Sequence, residues 1–272
     1  MDPQWDDSQP IYRQLRDRVV AMILEGVLKE GDPLPSVRAV AAEFRLNPLT
    51  VLKGYQQLVD EQLVSKPSEK FSPEANIRIK TRSDTSGYVG RGGLKLEAAL
   101  REFGIDVNGL VCLDVGASTG GFTDCLLQRG AESVVAVDVG HNQIDWKLRN
   151  DARVEVREGV NARYVSPHDF ATKFDLVTID VAFISATMIL PAVVPLLADG
   201  GRIVVLIKPQ FEVGKGEVGK GGIVKDSKQH ERVIGEVNAA AESLGLIVAG
   251  VIDSPIKGAD GNLEFLALYD SC

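Results

Sequence analysis

Lys95, Asp180, Lys208 and Glu264 lie 85, 28 and 56 residues apart, yet each falls where an α/β sheet delivers side chains to one edge. Two ammonium groups and two carboxylates gathered there could make a hydroxyl nucleophilic. A sugar hydroxyl has a pKa far above neutral, so transfer to it needs a base for the proton and positive charge for the developing alkoxide. Lys208 is expected to take the proton beside the ammonium of Lys95, with Asp180 and Glu264 orienting the two lysines. Taken singly, surface lysines and strand-end carboxylates are commonplace; the set of four carries the reading. The scheme requires no metal.

The second chemical feature is the glycine-rich turn DVGASTGG, Asp114 to Gly121. Gly116, Gly120 and Gly121 let backbone approach a ligand closely, Ala117, Ser118 and Thr119 complete the turn, and the helix that follows offers free N–H groups. Such a turn serves nucleotide ligands of many kinds, but GASTGG is not the GxGxxG of dinucleotide binding. Asp138 closes the next strand 22 residues after Gly116, placed to accept hydrogen bonds from ribose hydroxyls. Asp114 is expected beside the positively charged methionine part of S-adenosylmethionine, and an acidic wall favours a sulfonium over a pyrophosphate. The later loop GKGEVGKGG lacks the Ser or Thr that a phosphate-binding GxxxxGK requires, since Gly221 follows Lys220. It reads instead as a basic lid. Its Lys215 and Lys220, together with Lys225 and Arg91, are available to substrate phosphates, with a plain solvated loop as the equal alternative.

These residues must be positioned by a sheet. From Leu110 the chain alternates apolar strands (LVCLDV, SVVAVDV, VEVR, FDLVTID, RIVVLIK, LIVAGVI, LEFLAL) with helical segments (GFTDCLLQRG, IDWKLRN, TMILPAVVPLLA, HERVIGEVNAAAESLG). Alternation of this kind implies an α/β, Rossmann-like doubly wound sheet, mainly parallel, with ligands at the strand carboxyl ends. Asp180 and Lys208 end two strands, Glu264 is placed on the final strand and Lys95 on the helix opening at RGGLKLEAAL. The last two strands suit an antiparallel edge.

The N-terminal part has another character. Ile11, Leu15, Val19, Met22 and Ile23 recur at helical spacing up to Gly26, Ser36 can cap a short helix through Phe44, and Asn47 with Pro48 opens a third helix to about Glu61. The expected organisation is a small helix-turn-helix domain over 1–64, a basic connector over 65–90 and the α/β domain over 91–272. The net charge of −8 is unevenly spread: residues 65–101 hold 8 basic and 4 acidic side chains, whereas 102–272 hold 15 and 24. Positive charge therefore concentrates in the connector that leads to Lys95, which suits a polyanion partner. Cys112, Cys125 and Cys272 contain no CxxC pair, and their odd number argues against a disulfide framework or structural zinc. No apolar run approaches about eighteen residues and the start MDPQWDDSQP is acidic, so a cytoplasmic protein without a membrane span is expected.

PIYRQLRDRVVAMILEGVLKEGDPLPSVRAVAAEFRLNPLTVLKGYQQLVDEQLV, residues 10–64, resembles the GntR family of winged helix-turn-helix repressors. The resemblance implies that Ser36, Arg38, Asn47, Thr50 and Lys53 face DNA, with the third helix in the major groove. Where that family has a glycine- and arginine-rich wing, this chain continues SKPSEKFSPEANIRIK, which looks like the last strands of a small ribosomal-type RNA-binding module whose first part is absent. The remaining motifs, YVGRGGLKLEAAL, LDVGASTGGFTDCLLQRGA, VDVGHNQIDWKLRND, FDLVTIDVAFIS and IKPQFEVGKGEVGKGGIVKD, resemble the TlyA-type (haemolysin A, FtsJ-like) ribosomal RNA 2′-O-methyltransferases over about residues 66–270. That resemblance implies a class I methyltransferase sheet, S-adenosylmethionine as donor, cytidine ribose in ribosomal RNA or ribosomal subunits as target, and a Lys-Asp-Lys-Glu tetrad at Lys95, Asp180, Lys208 and Glu264. Gly90, Ala182, His141 and Asn142 depart from the family pattern without touching the tetrad. Nothing in the chain resembles a pore former. The competing reading is a GntR-type transcription regulator whose methyltransferase-like half senses a ligand. For the N-terminal helices, a packing or homodimerising role stays open beside DNA contact.

Overall fold

The computed structural model describes residues 10–24, 28, 34–60, 64–65, 78–79, 87–214, 216–219, 222–258 and 261–271. The chain divides into two compact units, Met1–Ser83 and Asp84–Cys272.

In the first unit, α1 (Ile11–Leu24), α2 (Val37–Glu43) and α3 (Pro48–Asp60) bury one small core built on Leu15, Val19, Val37, Val40, Val51, Tyr55 and Leu58. Local chemistry sets the helix ends. The Ser36 hydroxyl accepts the Ala39 N–H, and Asn47 Oδ1 accepts the Leu49 N–H one residue before Pro48, which has no N–H to satisfy. Between α2 and α3, Arg45 adopts φ +53° while Leu46 N–H reaches back to Ala41 O, so the turn is closed by the helix's own last carbonyls. The Tyr55 hydroxyl donates to Pro35 O and ties α3 to the segment entering α2. After α3, β1 (Val64–Ser65) pairs antiparallel with β2 (Arg78–Ile79).

The second unit opens with α4 (Gly92–Glu102) and continues through β3 (Val111–Val115), α5 (Gly121–Gln128), β4 (Ser133–Asp138), α6 (Trp146–Arg149), β5 (Val154–Glu158) and β6 (Phe174–Ile179). It closes with α7 (Leu190–Val193), β7 (Leu197–Ile207), α8 (Pro209–Glu212), α9 (Ser227–Ser243), β8 (Leu246–Asp253) and β9 (Phe265–Ser271). The seven-stranded sheet has the order β5-β4-β3-β6-β7-β9-β8, parallel except for β9, which runs antiparallel to both of its neighbours. Successive side chains alternate between faces. Cys112, Leu176, Val204 and Leu206 meet α4 and α5, whereas Leu113, Val115, Val177, Ile179, Val205 and Ile207 join α7 and α9 in the other core. The order reverses between β3 and β6, and such a reversal leaves a crevice at the strand carboxyl ends.

Two expectations are corrected. TMILPAVVPLLA is not one helix: a 3₁₀ turn at Ala186–Met188, α7 and a second 3₁₀ turn at Val194–Leu196 share it. Pro191 and Pro195 each remove a backbone donor, which breaks a continuous ladder. Glu264 stands one residue ahead of β9 rather than on it.

Asp114 sits within β3, next to the turn that starts at Gly116. Its carboxylate is fully enclosed, one oxygen accepting Thr123 N–H and Oγ–H and the other accepting the Thr178 hydroxyl, so it joins β3, α5 and β6. Burial pushes its pKa up to about 7, against the opposing pull of the Thr123 and Thr178 hydrogen bonds. Between pH about 4 and about 7 the folded chain keeps a proton that the unfolded chain releases, so Asp114 makes stability fall as pH rises through that window. In urea melts, Asp114→Asn should gain on wild type across that window, by on the order of 1 kcal/mol per pH unit. Parallel curves for the two proteins would contradict the burial argument.

Candidate active site

The crevice is an open cleft of about 190 Å³. Gly116, Ala117, Ser118, Thr119 and Gly121 form one wall, and Arg91, Gly92, Lys95, Asp180 and Lys257 contribute from other elements. The wall follows directly from strand geometry. Asp180 N–H donates to Val115 O, carrying the β3–β6 pairing to the strand ends, and Gly116 turns away there with φ +85°. A Cβ at Gly116 would stand 2.3 Å from Asp180 O, so position, turn and close approach all demand glycine. Ser118, at φ +49°, and Thr119 are exposed at the turn's tip.

The other wall is hung from α5. Asp124, almost wholly buried, accepts Val89 N–H on Oδ2 and Gln128 Nε2–H on Oδ1, and Lys147 Nζ lies 3.4 Å from Oδ1. This holds the segment before α4 against the glycine turn, where Gly92 meets the Phe122 ring and Gly121 meets Gly93 N. Arg91, exposed at the N-terminal end of α4, and Lys95, one turn further, thereby reach the cleft.

Each lysine has its own carboxylate. Lys95 Nζ donates to Glu264 Oε2, and their side chains are 10 % and 2 % exposed, so both charges depend on the partner for solvation. Lys208 Nζ stands 2.5 Å from Asp180 Oδ1, an ion pair without hydrogen-bond alignment that leaves Oδ1 with an open acceptor position. Lys208 follows β7 directly and Asp180 follows β6, so the parallel pairing of those strands brings the two together. Beyond Asp180, the loop is pinned by Glu212 of α8, which accepts the Ser185 hydroxyl and the Ala186 N–H; burial raises the Glu212 pKa. The loop presents Phe183, 91 % exposed at φ +64°, with its ring 5.1 Å from that of Phe211.

The other sequence candidates are placed as follows. Asp138, half-buried at the end of β4, accepts Ser118 N–H on Oδ2 and Gly140 N–H on Oδ1, so it shapes the glycine turn directly and each oxygen keeps a second lone pair. Gly120, at φ +93°, precedes α5 beneath the cleft wall. Ser36 and Asn47 spend their side-chain oxygens on helix caps. Arg38 and Lys53 are exposed, Thr50 is half-buried, and Lys53 Nζ lies 4.1 Å from the centre of the Tyr12 ring. Lys215 and Lys220 lie outside the described residues, and Lys225 is exposed. No group of His, Cys, Asp and Glu suited to a metal ion occurs among the described residues. Among them no helix is long and apolar enough to cross a membrane.

Sequence reasoning missed Lys257, Gly258, Asp124 and Glu212. The run SPIKGADGN, which ends two residues before Glu264, was the available signal for the first two, whereas the positioning carboxylates carry no local motif.

Comparison with known proteins agrees with the geometry. The profile of the FtsJ-like methyltransferases matches residues 88–270, and that of the gntR family of bacterial regulatory proteins matches residues 11–68. The 16S/23S rRNA (cytidine-2′-O)-methyltransferase TlyA of Mycobacterium tuberculosis is 43% identical over 229 residues, 84% of this chain and 85% of that protein. A solved Streptococcus thermophilus structure described as a hemolysin is 42% identical, with a TM-score of 0.68 over 88% of this chain and 89% of its own. An S-adenosylmethionine-dependent methyltransferase from Mesorhizobium loti, 16% identical with a TM-score of 0.51, covers 66% of this chain and all of its own, and shares the fold.

Proposed function

Because the chain belongs to the FtsJ-like methyltransferase family, we propose that it methylates the ribose 2′-hydroxyl of a cytidine in ribosomal RNA, with S-adenosylmethionine as donor. The observation that carries this reading is the cleft itself, in which the glycine turn, Lys95 and Asp180 face one space and each lysine is held by a carboxylate.

The residues present fit the donor. The turn at Gly116–Thr119 offers backbone without bulk, Asp138 keeps lone pairs at the adjoining strand end, and the acidic Asp180 suits a cationic centre. The donor supplies a methyl group on a positively charged sulfur, which leaves as a neutral thioether. The cleft is smaller than the roughly 300–1,000 Å³ of typical small-molecule sites, so it suits the reacting end of the ligand rather than its full length.

The chain's own groups then divide the work. Lys208 Nζ, in its neutral form, takes the hydroxyl proton as the oxygen–carbon bond forms, and Asp180 balances the ammonium so produced. Lys95, fixed by Glu264, sets positive charge beside the developing alkoxide. Phe183, exposed beside the site and backed by Phe211, offers a face on which a nucleobase turned out of its strand could stack. Arg91 and Lys257 place positive charge at the rim for the flanking phosphates.

Lys208→Ala should lower tritiated methyl transfer to isolated ribosomal subunits by at least about a hundredfold, within the range for loss of a general base. Donor affinity should stay within a few-fold of wild type. Transfer at an undiminished rate would remove Lys208 from the role of base.

A second activity is proposed for the first unit on its own observation, the capped helix–turn–helix of α2 and α3. Arg38 and Lys53 lie exposed there, and we assign them to DNA phosphates or bases. In a fluorescence-anisotropy titration of the full chain with duplex DNA, Arg38→Ala with Lys53→Ala should weaken binding about tenfold or more and lower its salt dependence. Unchanged binding would leave the helices without a role on DNA.

A further inference from the structure

We infer that Asn262 is a positioning residue that locks the basic loop after β7 to the segment carrying Glu264, so that the loop and the Lys95–Glu264 pair move as one unit. The inference rests on the proposed methyl-transfer reading for its consequence in catalysis, though not for the lock itself.

Asn262 is 2 % exposed, and its side chain reaches across to a segment nearly forty residues earlier in the chain. Oδ1 accepts Val224 N–H at 3.0 Å and Nδ2 donates to Gly222 O at 3.0 Å, so one amide satisfies a donor and an acceptor on the same turn. Its own carbonyl accepts Gly258 N–H at 2.9 Å and closes the 258–262 loop. From the opposite side, the buried His230 ring nitrogen Nε2 stands 3.0 Å from Val224 O, with the His230 ring against Phe265 at 5.5 Å. Val224 is therefore held through both its backbone groups.

The two ends of this lock are of different kinds. On one side, the chain beyond α8 is tied by Gly214 N–H on Glu217, the Glu217–Arg232 pair and Gly219 N–H on Ile223 O. On the other side, Glu264 lies two residues from Asn262, and its carboxylate packs so closely on Gly258 that a Cβ there would stand 2.0 Å from Oε1. The segment that leads into α9 is therefore fastened, at Gly222 and Val224, to the stretch that carries the partner of Lys95. Only a side chain with both a donor and an acceptor can make this connection, and a carboxamide has both at every working pH.

The test uses the full chain with Asn262→Ala and Asn262→Asp. Amide hydrogen exchange at Val224 should accelerate roughly tenfold or more in Asn262→Ala, the effect of leaving a buried N–H without its partner. Methyl transfer to ribosomal RNA should fall about tenfold or more in kcat, with the Kd for S-adenosylmethionine within threefold of wild type. Asn262→Asp supplies the discriminating signature: protonated, a carboxyl reproduces the donor–acceptor pair, and ionised it cannot donate to Gly222 O. The ratio of its kcat to that of wild type should rise as pH falls from 8 to 5.5, and the ratio cancels what His230, Lys257 and Glu264 contribute in both proteins. A flat ratio, or unchanged exchange at Val224, overturns the inference. If Asn262→Ala fails to fold, Val224 exchange and the pH-dependent ratio of Asn262→Asp decide the matter alone. A wild-type chain that transfers no methyl to ribosomal RNA would sink the proposed function, while the exchange rates at Val224 would still decide whether Asn262 forms the lock.

Discussion

A buried ammonium needs a carboxylate, and in this chain the requirement joins its α/β unit from end to end. Lys95 sits on α4, before the first strand of the sheet, and Glu264 just ahead of its last, and both side chains are almost wholly withdrawn from water. Coulomb attraction in such a place does little more than offset desolvation, so the pair is poor evidence of surplus stability. Its value is geometric. By holding α4 to the start of β9, it fixes one wall of the cleft relative to the strand ends that supply Asp180 and Lys208.

The rest of the site follows from strand pairing. β3 and β6 lie side by side where the order reverses, and the glycine at position 116 allows the turn to pass within contact of Asp180. β7 lies beside β6, which brings Lys208 to Asp180. Around these, Asp124, Glu212 and Asn262 fasten three loops by accepting or donating hydrogen bonds to backbone. Loops held through their main chain keep their course whatever the surface residues do, which is how a rigid scaffold aims groups carried on irregular segments.

The strands, the glycine turn and the places of Asp180 and Lys208 were legible in the sequence because they rest on local pattern: apolar runs, a turn that needs left-handed backbone, and charges directly after strands. The broken segment around Pro191 and Pro195 was legible in principle, since proline has a fixed meaning inside a helix, but the apolar spacing outweighed it. For Asp114 the sequence shows a carboxylate at a strand end next to a glycine turn, and only the fold shows that Thr123 and Thr178 enclose it. Asp124, Glu212 and Asn262 were out of reach, because a polar residue whose partners lie elsewhere in the chain leaves no spacing to read. In the first unit the caps at Ser36 and Asn47 were plain, since capping is decided within a few residues.

The most direct test of the central claim is a double-mutant cycle on the Lys95–Glu264 pair, measured as unfolding free energy for Lys95→Met, Glu264→Gln and the two combined. Each single change strands one buried charge or its partner and should cost about 3–5 kcal/mol, while the double variant should cost less than the sum by at least about 2 kcal/mol. Additive costs would show that the two side chains do not depend on each other, and the account of how the cleft is held together would fail.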